Sequence, residues 1–218
     1  MILVTGFEGY GGRKDNPSAS LVGALDGSCI DGVAVKGHLL PVDLAAVRQT
    51  IPDLIDDLKP EAVVSFGLWP GEPVVRLERV AINCADFELS DNLGMKAKEP
   101  VIENGANAFL SSLPIDEIER NVRNAGIPCR RSSSAGTFLC NATMYIALNA
   151  LAHRKQTTPA GFIHLPYLPC QVAELLDAVA RESILEQHQR SDYASMALET
   201  MAQAARIALA TTMKVQST

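Results

Sequence analysis

A chain of 218 residues, 47% of them hydrophobic and 20% charged, is long enough to bury a substantial core, and one domain over residues 1–218 is expected. A formal charge of -6 and only 5% aromatic residues exclude a nucleic-acid platform or an anionic-lipid surface as the main business of the chain. No apolar run reaches membrane-spanning length, and residues 1–7 are a short apolar start without a basic flank, so no membrane partner and a cytoplasmic location are expected.

Ile2-Leu3-Val4-Thr5 reads as a buried first strand leading into the glycine-rich loop 6–12. Asn16-Pro17 is a helix-start signal, because Asn caps free amides and Pro fits the first turn; Leu21, Val22 and Leu25 follow at helical spacing. Residues 33–40 read as a second strand, and 43–58 as a helix ended by Lys59-Pro60 and bent or interrupted by Pro52. Residues 62–66 form a further buried strand, 74–82 an extended stretch, and 84–105 a long polar surface loop. A helix is expected over 115–125, a strand over 129–133, a helix over 138–151, a strand over 160–164 and a final amphipathic helix over 193–210. Such alternation implies one α/β sheet with helices on both faces and a ligand crevice beyond the carboxyl ends of the strands.

The five cysteines are scattered, without a C-x-x-C pair or a histidine cluster, so they are expected as thiols and no metal is expected. Ser134-Ala135-Gly136-Thr137-Phe138-Leu139-Cys140-Asn141 is a small-residue turn feeding a helix, which puts Cys140 in its first turn. There the helix dipole favours thiolate, and the free amides suit an oxyanion. A cysteine in an apolar helix is equally a small core residue, and taken alone that reading leads. His164 ends a strand and should project into the crevice, although a histidine merely hydrogen-bonded at a strand end fits as well. His38 lies in the second strand without an acidic companion, and His153 and His188 lie in charged surroundings. Glu78 either orients an imidazole or pairs with Arg76 or Arg79; spacing does not choose. The loop 6–12 fails the spacing of both nucleotide signatures, but its glycines allow close backbone approach, and Phe7 and Tyr10 offer a flat apolar wall.

Taken together, these segments resemble the pyroglutamyl peptidase I family over nearly the whole chain: TGFEGYGG with Asn16-Pro17-Ser18, ERVAIN from Glu78, SDN from Ser90 to Asn92, SAGTFLCN ending at Asn141 and GFIHLPYLP from Gly161. The resemblance implies a three-layer α/β/α sandwich around a single mostly parallel, mixed sheet. It also implies a thiol peptidase that removes an amino-terminal pyroglutamyl residue with Glu78, Cys140 and His164. Phe7, Tyr10, Asn16 and Phe138 would bind the substrate, without a cofactor. The partners it implies are peptides with an amino-terminal pyroglutamate and copies of the same chain in a dimer or tetramer. Where the family carries an arginine thought to stabilise the oxyanion, this sequence has Glu88, whose charge opposes an oxyanion unless it turns away. Pro70-Gly71-Glu72-Pro73 also replaces the family's usual segment before the Glu block. A homologue with an altered acyl-amide or lactam substrate, and a pyroglutamyl-binding protein without turnover, are the alternatives, with a nucleotide-dependent oxidoreductase last.

Overall fold

The computed structural model describes residues 1–182 and 193–216. Its main sheet has seven strands: β1 (Ile2–Phe7), β2 (Cys29–Ile30), β3 (Val33–Leu40), β4 (Ala62–Leu68), β5 (Val75–Glu78), β10 (Cys129–Ser132) and β11 (Ala160–Leu165), in the order β10-β5-β11-β4-β1-β3-β2. The strands β11, β4, β1 and β3 run parallel; β5 turns against β11, and β2 against β3. Two short ribbons lie outside it: β6 (Val80–Ile82) with β9 (Ala108–Leu110), and β7 (Ala85–Asp86) with β8 (Lys98–Glu99).

Strand alternation sends side chains to two cores. Ile2, Val4, Val64, Phe66, Ile163 and Leu165 face the helices α1 (Pro17–Leu25), α3 (Ile115–Asn124) and α6 (Leu198–Gln216). Leu3, Phe7, Val63 and Phe162 face α2 (Leu44–Leu58) and α4 (Leu139–His153) on the other side. Each large apolar side chain buried this way contributes about 1.5–3 kcal/mol, and a strand that slipped by one residue would send its whole set into the wrong core. The α/β/α sandwich is therefore written in strands buried on both faces along their whole length.

Several expectations are corrected. Pro52 does not interrupt α2, which runs unbroken from Leu44 to Leu58. Its cost of about 3 kcal/mol in a helix interior is offset by the burial of Val47, Ile51 and Ile55 on either side of it. The extended stretch 74–82 is two strands, because the chain leaves the main sheet at Arg79. The loop 84–105 is not all surface, since Ala85, Phe87, Asp91 and Val101 are buried. The last helix begins at Leu198, because Ser195 bridges to Tyr167 and the Met196 amide donates to the Tyr167 carbonyl at 2.9 Å. A fifth helix, α5 (Pro169–Glu182), was not anticipated. His153 is exposed at the end of α4, and His188 lies outside the described residues.

Candidate active site

The site is set by register at the carboxyl ends of β1, β4 and β11. His164 on β11 stands opposite Gly67 of β4 on one side and Arg76 of β5 on the other. Opposite residues share a face, and so do residues two apart, so Arg76, Glu78, Phe162 and His164 all point toward α4. Glu78 pairs with Phe162 and is thus the diagonal neighbour of His164. Its Oε1 lies 2.8 Å from His164 Nδ1 and accepts a second hydrogen bond from Arg76 Nε, also at 2.8 Å. Glu78 thus contacts Arg76 and His164 at once, while Arg79 goes elsewhere, to Ser133. With Nδ1–H donated to Glu78, the Nε2 of a neutral imidazole is left as the base.

Cys140 is the second residue of α4. Phe138 occupies the cap position in extended geometry with no side-chain hydrogen bond to the first turn, so that turn's amides remain for a ligand. Asn141, fully buried, ties the helix start to the chain beyond β5: its Oδ1 accepts from the Ile82 amide, and its Nδ2 donates to the carbonyls of Ile82 and Cys84. The thiol sits over Gly67, where a Cβ would fall 2.8 Å from Cys140 Sγ and 2.8 Å from the Phe162 ring. Only glycine leaves that seat open.

Electrostatics at the thiol differ from the sequence expectation. Burial, followed by the nearby Glu78 charge, pushes the Cys140 thiol up to about 12 despite the helix start. Burial also holds His164 below the usual imidazole range, outweighing the hydrogen bond and charge of Glu78, which push it up. Both directions favour a neutral thiol beside a neutral imidazole.

Two adjoining hollows meet at Cys140. A recess of about 20 Å³ is lined by Phe7, Tyr10, Asn16, Val42, Leu68, Phe138, Leu139 and Cys140, so all four residues expected to bind substrate come together with the thiol. Asn16 is held there by capping α1, accepting from the Ser18 amide at 3.1 Å and donating to the Glu8 carbonyl at 3.1 Å. Tyr10 packs on Phe138 at 5.8 Å between ring centres, and Phe138 on Phe87 at 4.5 Å. The second hollow, about 300 Å³, opens to solvent and brings Cys140 and His164 together with Trp69, Asp86 and Glu88. Glu88 is exposed on its rim, beside exposed Asp86, and no lysine or arginine among the described residues lines it. A wider cleft of about 580 Å³ at Arg79, Leu110 and Arg131 is lined by neither thiol nor imidazole, so size does not mark the site.

Sequence reasoning missed Gly67, Trp69, Asn141 and the hub role of Arg76. Gly67 carried a signal, since a glycine at the end of a buried strand often marks a close approach. Trp69 and Arg76 carried none, because their contacts depend on β5 running against β11.

An α/β/α frame with a thiol at a helix start, facing a buried histidine–carboxylate pair at the sheet's carboxyl edge, belongs to the cysteine peptidases in class. The comparisons narrow that class. The family model described as pyroglutamyl peptidase matches residues 1–215, and the chain belongs to that family. Among its relatives, the pyrrolidone-carboxylate peptidase of Thermococcus onnurineus is 37% identical over 214 residues, covering 98% of each chain. That of Pyrococcus furiosus is 37% identical over 174 residues, 79% of this chain and 84% of the relative. The solved pyrrolidone carboxyl peptidase of P. furiosus superposes with a TM-score of 0.88 at 32% identity, over 98% of both chains.

Proposed function

We propose that this protein hydrolyses the amide bond following an amino-terminal pyroglutamyl residue, with Cys140 as nucleophile, His164 as base and Glu78 orienting His164. The observation that carries the reading is the junction at Cys140: an apolar, aromatic-walled recess on one side, and the cavity shared with His164 on the other. A pyroglutamyl ring is compact and uncharged, so a recess without an ionic partner suits it. The recess as it stands holds about one water, so ring entry parts Tyr10 from Phe138.

The chemistry follows from the neutral resting pair. As Cys140 Sγ attacks the pyroglutamyl carbonyl, His164 Nε2 takes the thiol proton, and Glu78 stabilises the imidazolium that forms. The carbon–sulfur bond forms and the carbonyl oxygen gains negative charge, which the uncapped amides of the α4 first turn can receive. On collapse the carbon–nitrogen bond breaks, and His164 gives its proton to the departing amine. Water then attacks the thioester with His164 again as base, releasing pyroglutamate and restoring the thiol. Glu88, exposed on the rim, takes no part in this scheme. The altered-substrate and binding-only alternatives find no support in the relatives.

The same reading takes residues 1–218 as one domain, supported by a sheet whose strands run from Ile2 to Leu165. It places the protein in the cytoplasm as a dimer or tetramer. Supporting this are five free thiols, the absence of any membrane-crossing helix among the described residues, and exposed Leu93, Met95 and Leu110. A monomer in analytical ultracentrifugation would remove the oligomer.

The activity is tested with a fluorogenic pyroglutamyl amide beside a prolyl amide. Release from the first alone, abolished in Cys140→Ala, is expected. A Cys140→Ala protein that retains full turnover would remove Cys140 from the mechanism.

A further inference from the structure

Arg76 has no step in the scheme above, yet its guanidinium bonds Glu78 directly and touches the Trp69 ring that packs on His164. It is 9% exposed. Nε donates to Glu78 Oε1 at 2.8 Å, Nη1 to Glu72 Oε2 at 3.2 Å and Nη2 to the Ser134 carbonyl at 2.7 Å, in the turn that leads into the Cys140 helix. The guanidinium carbon stands 3.7 Å over the Trp69 ring, whose edge meets the His164 ring at 4.9 Å between centres. Arg130 braces the far side, with two hydrogen bonds to Glu72 at 3.0 and 2.8 Å.

An ion pair serving stability alone would have no reason to occupy the oxygen that the catalytic imidazole uses. Here Arg76 and His164 donate to the same Glu78 Oε1, while Oε2 is buried with no hydrogen-bond partner among the described residues. Each donor draws on the charge the other needs, so Arg76 weakens the hold of Glu78 on an imidazolium. We propose that Arg76 is a positioning residue that sets the proton affinity of His164: by sharing Glu78 Oε1 and fixing Trp69 against the ring, it keeps the imidazole neutral and oriented to accept the Cys140 proton. The proposal rests on the peptidase reading for its role in turnover, but not for its effect on His164.

The groups facing His164 are Arg76 and Glu78 from β5, Glu72 from the turn before it, Cys140 from α4, and the rings of Trp69 and Phe162, with Tyr10, Asp86 and Glu88 lining the cavity it shares. Their signs separate cleanly. The Arg76 charge lowers the proton affinity of His164, and the Glu72 charge raises it. Removing Arg76 leaves Glu78 to share its charge with His164 alone, so His164 should protonate at higher pH; removing the Glu72 charge should do the reverse.

The test is an NMR titration of histidine-labelled protein, with the His164 signal assigned by its loss in His164→Gln, alongside kcat/KM against pH. Arg76→Met is expected to raise the His164 titration by roughly one pH unit and to move the acid limb of kcat/KM up by the same amount. Arg76→Lys, which keeps the charge but not the three-way fork, should shift it less while lowering kcat. Glu72→Gln should shift it downward. Should Arg76→Met fail to fold, the Lys and Gln variants decide the matter. An unmoved His164 titration in folded variants, or the same direction of shift for Arg76 and Glu72, would overturn the proposal. Because the titration is read without substrate, it stands even if the pyroglutamyl amide is not cleaved.

Discussion

The recess and the polar network meet at Cys140 but are built by opposite means. The recess is an apolar cup whose walls, Phe7, Tyr10 and Phe138, act by shape; its one polar member, Asn16, is occupied in capping α1. Beneath His164 lies a chain of charges that starts at exposed Arg130 and runs through buried Glu72, Arg76 and Glu78 to the imidazole. Shape tolerates a conservative change, because packing relaxes and the cost is graded. A buried charge network does not, since removing one member strands its neighbour without water or partner.

This contrast orders the expected effects of mutation. Glu78→Gln should hurt most after loss of the nucleophile. It replaces the carboxylate by a neutral amide whose N–H can favour the other His164 tautomer, and it leaves Arg76 short of its charge partner. Its kcat should fall on the order of 10³–10⁴-fold with KM little changed, read by steady-state kinetics, and a fall shared equally with KM would point to misfolding of the pocket instead. Gly67→Ala comes next. The added methyl meets Sγ and the Phe162 ring, so it costs about 1–3 kcal/mol in stability and displaces the thiol. Thermal unfolding and kcat should fall together, and a fully active, fully stable variant would show that the thiol does not sit over Gly67. Tyr10→Ala removes part of the aromatic wall, and a KM raised about tenfold with kcat nearly kept is expected. Glu88→Gln is the mildest. Exposed beside Asp86, Glu88 should change hydrolysis of a neutral amide by less than about threefold. It should also weaken any preference for a lysine over a glutamate after the pyroglutamyl residue, measured on paired peptides at low salt. A large loss of activity would return Glu88 to the reacting centre.

The same contrast explains what could be read from the sequence. The recess comes from local signals: Asn16-Pro17 marked the start of α1, and Asn16 does cap it, accepting from the Ser18 amide. Phe7 ends β1 and Tyr10 follows three residues later in the adjoining loop, so their shared wall was legible too. The network depends on β5 running antiparallel to β11, a tertiary fact that puts Arg76 opposite His164 and Glu78 on its diagonal. Glu78 was therefore seen as either an ion-pair partner or a histidine partner, when the geometry makes it both. The pulls on the Cys140 thiol are only half visible in the sequence for a related reason. Helix position is visible in sequence, whereas the burial and the Glu78 charge that oppose thiolate belong to the folded site. The start of α6 was set too early because residues 193–197 keep an amphipathic look while Ser195 is engaged with Tyr167. The helix α5 was legible and overlooked, with Val172, Leu175, Leu176 and Val179 at helical spacing.

The central claim is that Cys140 becomes covalently acylated by the pyroglutamyl group. Acid quenching of the protein during turnover of a pyroglutamyl ester, followed by peptide mass spectrometry, reads this directly. A pyroglutamyl thioester on the peptide holding Cys140, absent from Cys140→Ala and longer-lived in His164→Gln, is the expected result. Turnover with no adduct on Cys140, or an adduct on Cys84 or Cys129 in its place, would contradict the account.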